Sequence, residues 1–395
     1  MISRKLLFSV IFTIFLASLI RTFVTRPVLK VMSHPYAREL EVATLAVKRA
    51  SVLTKKLSDS IAETSKSGTQ IKNDKSPVTV GDYAAQAIIN HAIKLNFPTD
   101  NIVGEEDSES LKEETEEAQQ LTGRIMQIIA DVQAQTSSSS DVLGTLDLVN
   151  AVYDSIDFGN YEGGSKGRFW ALDPIDGTKG FLRGDQFAVC LALVEDGKVV
   201  LGVIGCPNLA ENIQSNENQS GVVGGLYSAI KGLGAYYTPL FENEEFVPLE
   251  RQEKIHMSST TDPAELKVVE GVEKGHSSHS TQSLIKTQLG FSEETVAGQT
   301  INLDSQVKYC VLAKGLADIY LRLPINDKYR EKIWDHAAGN ILLYESGGQV
   351  GDVLGTALDF GKGRLLDSQG VIAANKNVFS KVIAAVESVL LEEKK

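Results

Sequence analysis

The chain has 395 residues, 43% apolar and 23% charged, enough for one large or two ordinary domains and too apolar for disorder. Its 39 Lys and Arg stand against 51 Asp and Glu, a net charge of −12. That balance excludes general affinity for nucleic-acid polymers, which clustered positive charge must bind. A small anion is compatible with it if metal ions supply the positive field. Cys190, Cys206 and Cys310 sit in apolar runs without C-x-x-C or Cys/His ligand spacing. Neither a disulfide framework nor a zinc site is indicated, and a reducing compartment, the cytoplasm, fits best.

In chain order, Leu6 to Ile20 is uncharged and apolar, flanked by Arg4, Lys5, Arg21, Arg26 and Lys30, and no acid precedes Glu39. As a helix that stretch covers about 22 Å, short of the roughly 30 Å bilayer core unless residues 6–24 all insert and Arg21 snorkels. A membrane anchor, a secretory or mitochondrial leader, and a dispensable extension ahead of Met32 all stay open. From Tyr36 an amphipathic helix is expected, with Leu40, Ala43, Ala46, Val47, Ala50 and Leu53 at spacings of three and four. A second helix follows Asp82, its apolar side formed by Ala84, Ala85, Ile88, Ile89, Ala92 and Ile93 and its end set near Pro98. The polar KNDKSPVTVGD between them reads as a loop or hairpin that delivers Asp82 to a helix N-terminus.

The acidic interval 109–141 reads as a surface excursion carrying one helix, Leu121 to Val132. Strands are expected at 169–172, 187–194 and 199–204, the last two joined by the hairpin signal Glu195-Asp196-Gly197-Lys198, then at 225–229 and 234–237. Polar sequence from Glu242 to Glu250, with Pro248, marks a boundary. Beyond it, 267–269 and 317–323 read as strands, and 306–313 and 334–346 as helices. The expected organisation is a leader or anchor over 1–32, a metal-site domain over 33–246 and a second domain over 247–395, an α/β architecture of layered helices and sheets with the site between its lobes.

Four strings concentrate chemistry. In WALDPIDGTKGF, Asp173 and Asp176 flank Pro174 at the end of a strand, and Thr178 adds a hydroxyl at the start of a short helix. Carboxylates that close repel one another, and a divalent cation removes the conflict. Hard oxygen ligands, with a backbone carbonyl such as that of Ile175, select Mg2+ or Ca2+ over zinc. Taken alone, the pair could equally be a turn capped by its own aspartates. VGEED places Glu105, Glu106 and Asp107 after an apolar pair. WDHAAG puts Asp335 at the mouth of a helix whose small residues would let the backbone approach a ligand. Asp82, after Gly81, is the fourth.

The order SPVT-x-GD, GEED, WALDPIDGTKGF, WDHAAG resembles the lithium-sensitive, magnesium-dependent phosphatases related to inositol monophosphatase, with the layered α+β sandwich shared by that family and fructose-1,6-bisphosphatase. GVIGCPNL, EGVEKGHSSHS, LDSQVKYC and GLADIYLRLP look like the fungal and plant 3'(2'),5'-bisphosphate nucleotidases of that superfamily, from about Tyr36 onward. The resemblance implies two to three Mg2+ ions. Glu105, Asp173 and the Ile175 carbonyl would hold one; Asp173, Asp176 and Asp335 a second; Glu105, with Asp82 and waters, a weaker third. Thr178, hydrogen-bonded to Asp82, would orient and help deprotonate the attacking water. His276, Ser305, Lys308 and Arg322, beside Thr178 and Asp335, would bind adenosine 3',5'-bisphosphate. The implied reaction releases the 3'-phosphate, with AMP as product, in a monomeric enzyme of sulfur metabolism and salt tolerance. His279 and His276, without the resemblance, read as solvated loop residues.

Overall fold

The computed structural model describes residues 34–66, 76–214, 219–242, 246–273, 278–323, 326 and 328–393. The apolar segment 6–24 lies outside them, and no helix among the described residues is long and apolar enough to cross a membrane. Seven strands follow one another across the first sheet: β1 (Asn101–Gly104), β2 (Arg168–Asp176), β3 (Ala188–Glu195), β4 (Lys198–Ile213), β5 (Gln219–Ile230), β6 (Gly234–Pro239) and β7 (Glu253–Ile255). β1 and β2 run parallel and the remaining neighbours antiparallel. The second sheet has the order β11-β12-β10-β8-β9, from β8 (Val268–Glu270), β9 (Thr300–Asn302), β10 (Ile319–Arg322), β11 (Gly348–Gly351) and β12 (Val371–Asn375).

Beside a single turn at Ser140–Leu143, the α-helices of the described residues are α1 (Ala37–Lys66), α2 (Ser76–Asn96), α3 (Glu116–Gln135), α4 (Val149–Asp157), α5 (Thr178–Arg183), α6 (His279–Leu289), α7 (Val307–Ala313), α8 (Ala337–Ser346) and α9 (Phe379–Glu393). Strand periodicity explains their stacking. Trp170, Leu172, Leu191 and Leu193 point to the core under α1 and α2, whereas Phe169, Ala171, Cys190 and Ala192 point to the core shared with α7, α8 and the second sheet. Ile319, Leu321, Ile372 and Ala374 face α6 and α9. The result is five layers, helix, sheet, helix, sheet, helix, and β3 is buried on both faces throughout Ala188 to Val194. Where α8 crosses β4 the sheet has Gly202, at which a Cβ would meet Ile341 Cγ2 at 2.6 Å and the Ala338 carbonyl at 2.9 Å. Arg168 ties α1 to the sheet through Glu39 and Asp100, each at 2.8 Å, and the Trp170 indole donates to the same Asp100 at 2.9 Å.

Several elements differ from the sequence-based expectations. α2 begins at Ser76, so Asp82 lies in its second turn and SPVTVGD is helical. Pro77 is tolerated in a first turn, where its missing N–H is not needed. Gly81 belongs there because a Cβ would meet Ile175 Cδ1 at 2.7 Å. α3 is longer than expected and buries Ala118, Ile125, Ile129 and Val132, so this stretch of the acidic interval is packed protein. β2 continues past Leu172 to Asp176. Asp173 pairs with Cys190 and Asp176 with Ala188, so three steps on one strand oppose two on the other, a bulge at Pro174-Ile175. The hairpin is as expected: Glu195 pairs with Lys198, and Asp196 and Gly197 take φ of 46° and 74°. All three cysteines are free and buried.

Gly202→Ala should therefore cost about 1–3 kcal/mol, the penalty of overpacking against helix backbone that cannot yield. Urea unfolding monitored by tryptophan fluorescence reads this directly, and an unchanged midpoint would contradict the packing.

Candidate active site

The parallel register of β1 and β2 builds the centre of the site. Gly104 lies opposite Leu172, so Glu105 and Asp173 leave the sheet side by side. The bulge then carries Asp176 back toward the same space, and Gly177, at φ 91°, turns the chain into α5, which begins with Thr178. The GEED turn is held from both sides. The Gln86 amide, fully buried on α2, donates to the Glu106 carbonyl at 2.6 Å and accepts from the Glu106 N–H at 3.1 Å. Arg364 donates to the Gly104 carbonyl at 2.5 Å. Asp82 lies one turn before Gln86 on α2. Asp335 arrives just ahead of α8.

A cavity of about 490 Å³ is lined by Glu105, Asp173, Ile175, Asp176, Thr178, Ser305, Lys308, Arg322 and Asp335, with Lys179, Glu273, Tyr320, Tyr329 and His336. Asp82 stands behind it at 7% exposure. No hydrogen bond joins Asp82 to Thr178 among the described residues, which differs from the expected pairing; Oδ1 of Asp82 is buried without a partner, as is Oδ1 of Asp173. His276 lies outside the described residues. His279 opens α6 and so is not in a loop.

Burial and like charge act together here. Asp173 is held well above the usual carboxylate range by burial and then by Glu105, Asp176 and Asp335. Asp82 is raised by burial, then by Glu106 and Glu105. Asp335 is raised by burial and then by Asp176. Glu105 keeps contact with solvent, yet the protein packed around its carboxyl, then Glu106 and Asp176, push it up to about 7. Buried carboxylate oxygens without donors are costly unless a cation meets them. An all-carboxylate donor set with two such oxygens fits a hard divalent ion.

Cations line the same cavity. Lys308 is buried, its Nζ bonded to the carbonyls of Leu303 at 3.1 Å and Ser305 at 2.7 Å; burial pulls its pKa down to about 8 against the pull of Asp176. Ser305 has a φ of 61° and lies where a Cβ on Gly177 would be 2.9 Å from its own Cβ. Arg322 is gripped by Glu331 at 2.6 Å. Burial raises the Glu331 carboxyl, but His336 and Arg322 outweigh it and hold it at about 2. His336 bonds Tyr309 OH at 2.8 Å and faces Glu331 at 3.4 Å. Glu331, Asp335 and His336 offer ligand atoms within 4.8 Å of one another. Sequence reasoning missed Glu331 and Gln86, which carry no motif of their own, and Gln306, which lies in LDSQVKYC but was given no role there. It also misread the small residues of WDHAAG. A Cβ on Gly339 would meet the Tyr309 ring at 2.2 Å, so they serve the packing of a helix enclosed between two sheets and leave no room for a ligand.

The pattern of the inositol monophosphatase family matches residues 37–391, and the chain belongs to that family. More narrowly, it is 71% identical over 357 residues to 3'(2'),5'-bisphosphate nucleotidase 2 of Candida albicans, covering 90% of this chain and 98% of the relative. It is 45% identical to the 3'(2'),5'-bisphosphate nucleotidase of Emericella nidulans, over 90% and 99% of the two chains, and 41% identical to that of Oryza sativa, over 91% and 96%. Its fold is similar to that of an inositol monophosphatase from Zymomonas mobilis, with a TM-score of 0.52 at 18% identity, covering 90% of this chain and 99% of that one.

The carboxyl shifts predict an unusual pH dependence. A carboxyl whose pKa is higher folded than unfolded binds protons more tightly in the fold. Its stabilising contribution is complete below the unfolded value, 4.5 for Glu105, and is lost as pH rises through about 7. Without divalent ions, Tm should fall as pH rises from about 5 to about 8, and Mg2+ should flatten that fall. Differential scanning calorimetry with chelator and with excess Mg2+ checks this; parallel curves in the two conditions would contradict it.

Proposed function

We propose that this chain is a Mg2+-dependent 3'(2'),5'-bisphosphate nucleotidase that hydrolyses adenosine 3',5'-bisphosphate to AMP and phosphate, and acts likewise on 3'-phosphoadenylyl sulfate. The observation that carries this reading is one cavity whose lining brings crowded carboxylates together with Lys308 and Arg322. That arrangement suits a metal site facing a phosphate site. Relatives of that name at 41–71% identity over nine-tenths of the chain support it.

In this reading Glu105, Asp173 and the Ile175 carbonyl hold one Mg2+, Asp173, Asp176 and Asp335 a second, and Glu105 with Asp82 a weaker third. The Ile175 side chain is buried against α2, so its backbone is the part able to serve. Bound ions would neutralise the phosphate's charge and lower the pKa of the attacking water. Thr178, exposed at the start of α5, would orient that water and, once paired with Asp82 in the loaded site, help to deprotonate it. The water oxygen bonds to phosphorus as the bond to the 3'-oxygen breaks, and that oxygen leaves with the electron pair and takes up a proton. Lys308 and Arg322 hold phosphate, and Ser305 and His276 the rest of the nucleotide. The sequence has neither a Cys-x5-Arg loop nor a DxDGT nucleophile, which supports direct attack. The site lies between lobes of residues 33–246 and 247–395, in a monomer of the cytoplasm, a compartment the free cysteines suit.

Phosphate release should be faster from adenosine 3',5'-bisphosphate than from inositol monophosphates or fructose 1,6-bisphosphate; the reverse preference would overturn the assignment in favour of a sugar- or inositol-phosphate phosphatase. Asp173→Asn should lower turnover by on the order of 10²–10³, as expected when a preorganised charge contact is removed. A wild-type protein that binds nucleotide without Mg2+-dependent turnover would instead mark a non-catalytic sensor.

Li+ should inhibit by occupying the weaker ion position and retaining product. Activity titrated with LiCl at limiting Mg2+ reads this, and a flat titration counts against it.

A further inference from the structure

Three parts of the site meet at Gln306, a residue of 1% exposure just ahead of α7. Its backbone N–H donates to Asp176 Oδ2 at 2.5 Å. Its side-chain Nε2 donates to the Trp334 carbonyl at 2.8 Å, and its Oε1 accepts from the Gly339 N–H at 2.9 Å. One residue thus grips a carboxylate at the end of β2 and both flanks of Asp335. The two aspartates come from different strings, 159 positions apart in the chain, and like charges brought together repel one another. Without a tie, repulsion would spread the β2 end from the start of α8.

We infer that Gln306 is a positioning residue that fixes the separation of Asp176 and Asp335 and so sets the affinity of the carboxylate cluster for a divalent cation. The inference rests on the proposed reading of these aspartates as metal ligands. The side chain needed is specific. It must donate to a carbonyl and accept from an N–H through one planar group, at a reach that Asn lacks by one methylene and that Met matches without either function. The same segment carries Ser305 and Lys308, so the residue that braces the metal side is continuous with the phosphate side. Loss of partners that orient ligands typically costs about 10–100-fold in metal affinity.

The test uses the full chain with Gln306→Met and Gln306→Asn. Mn2+ binding is measured by electron paramagnetic resonance without nucleotide, together with metal-free Tm and the Mg2+ dependence of phosphate release. Both variants should bind Mn2+ about tenfold or more weakly. The half-saturating Mg2+ should rise by a similar factor while kcat at saturation changes less. A residue needed only for folding would lower Tm and leave the Mn2+ affinity of the folded fraction intact. Mn2+ affinity within about twofold of wild type in either folded variant overturns the role of Gln306. Absence of Mn2+ binding by the wild type overturns the metal-ligand reading itself, which separates the two failures.

Discussion

Asp82, Glu105, Asp173, Asp176 and Asp335 are brought to one place at the end of a buried sheet, where burial, and for most of them like charge, makes them harder to ionise. Little of the surrounding structure makes sense without that repulsion. Unpaired charges in a low-dielectric interior drift apart or take up protons unless the framework holds them. Here the framework is stiff. Gln86 and Arg364 fix the turn after β1, the parallel register fixes Glu105 against Asp173, and Gln306 closes the ring on Asp176. The cost of holding the cluster is met by burial elsewhere, in a core that runs through both sheets.

The five-layer stack supplies that stiffness. A sheet covered on one face could flex at its ends, but β2 and β3 are clamped between α1 and α2 on one side and α7 and α8 on the other. Helix α8 is pressed on β4 at Gly202 and on Tyr309 at Gly339, so the segment carrying Asp335 has no room to rotate. The close packing of WDHAAG holds Asp335 near the carboxylates that follow β1 and β2.

This division explains which parts were readable from the sequence. The amphipathic repeat of α1, the apolar runs of β3 and β4 and the Asp-Gly hairpin were legible because each is a local pattern with a local cause. The clustering of acids was legible because DPIDGT and WDHAAG are dense in chemistry. The start of α2 was not legible: Pro and Gly are strong breaker signals, and only the close approach of Ile175 to Gly81 shows why the helix runs through them. β7, β9 and β11 are three or four residues long and take their conformation from their neighbours. α6 buries Thr281, Gln282 and Lys286 beside Ile285 and Leu289, so its apolar period is too sparse to read from the sequence. Glu331 and Gln86 are single polar residues whose roles exist only in three dimensions, since their partners lie in other elements or, for Glu331, at Arg322 nine positions upstream.

The charge distribution of the cavity also constrains the order in which it can fill. With no cation bound, its floor repels a phosphate dianion, and the facing cations are already engaged: Lys308 by two carbonyls and the field of Asp176, Arg322 by Glu331. Each engagement pre-sets position and limits free positive charge. On the proposed assignment, a divalent ion on the floor would change both terms, because it would cancel the repulsion and weaken the hold of Asp176 on Lys308. The phosphate side would then gain attraction as the metal side filled. Binding linkage is reciprocal, so on that assignment nucleotide would tighten the metal to the same degree.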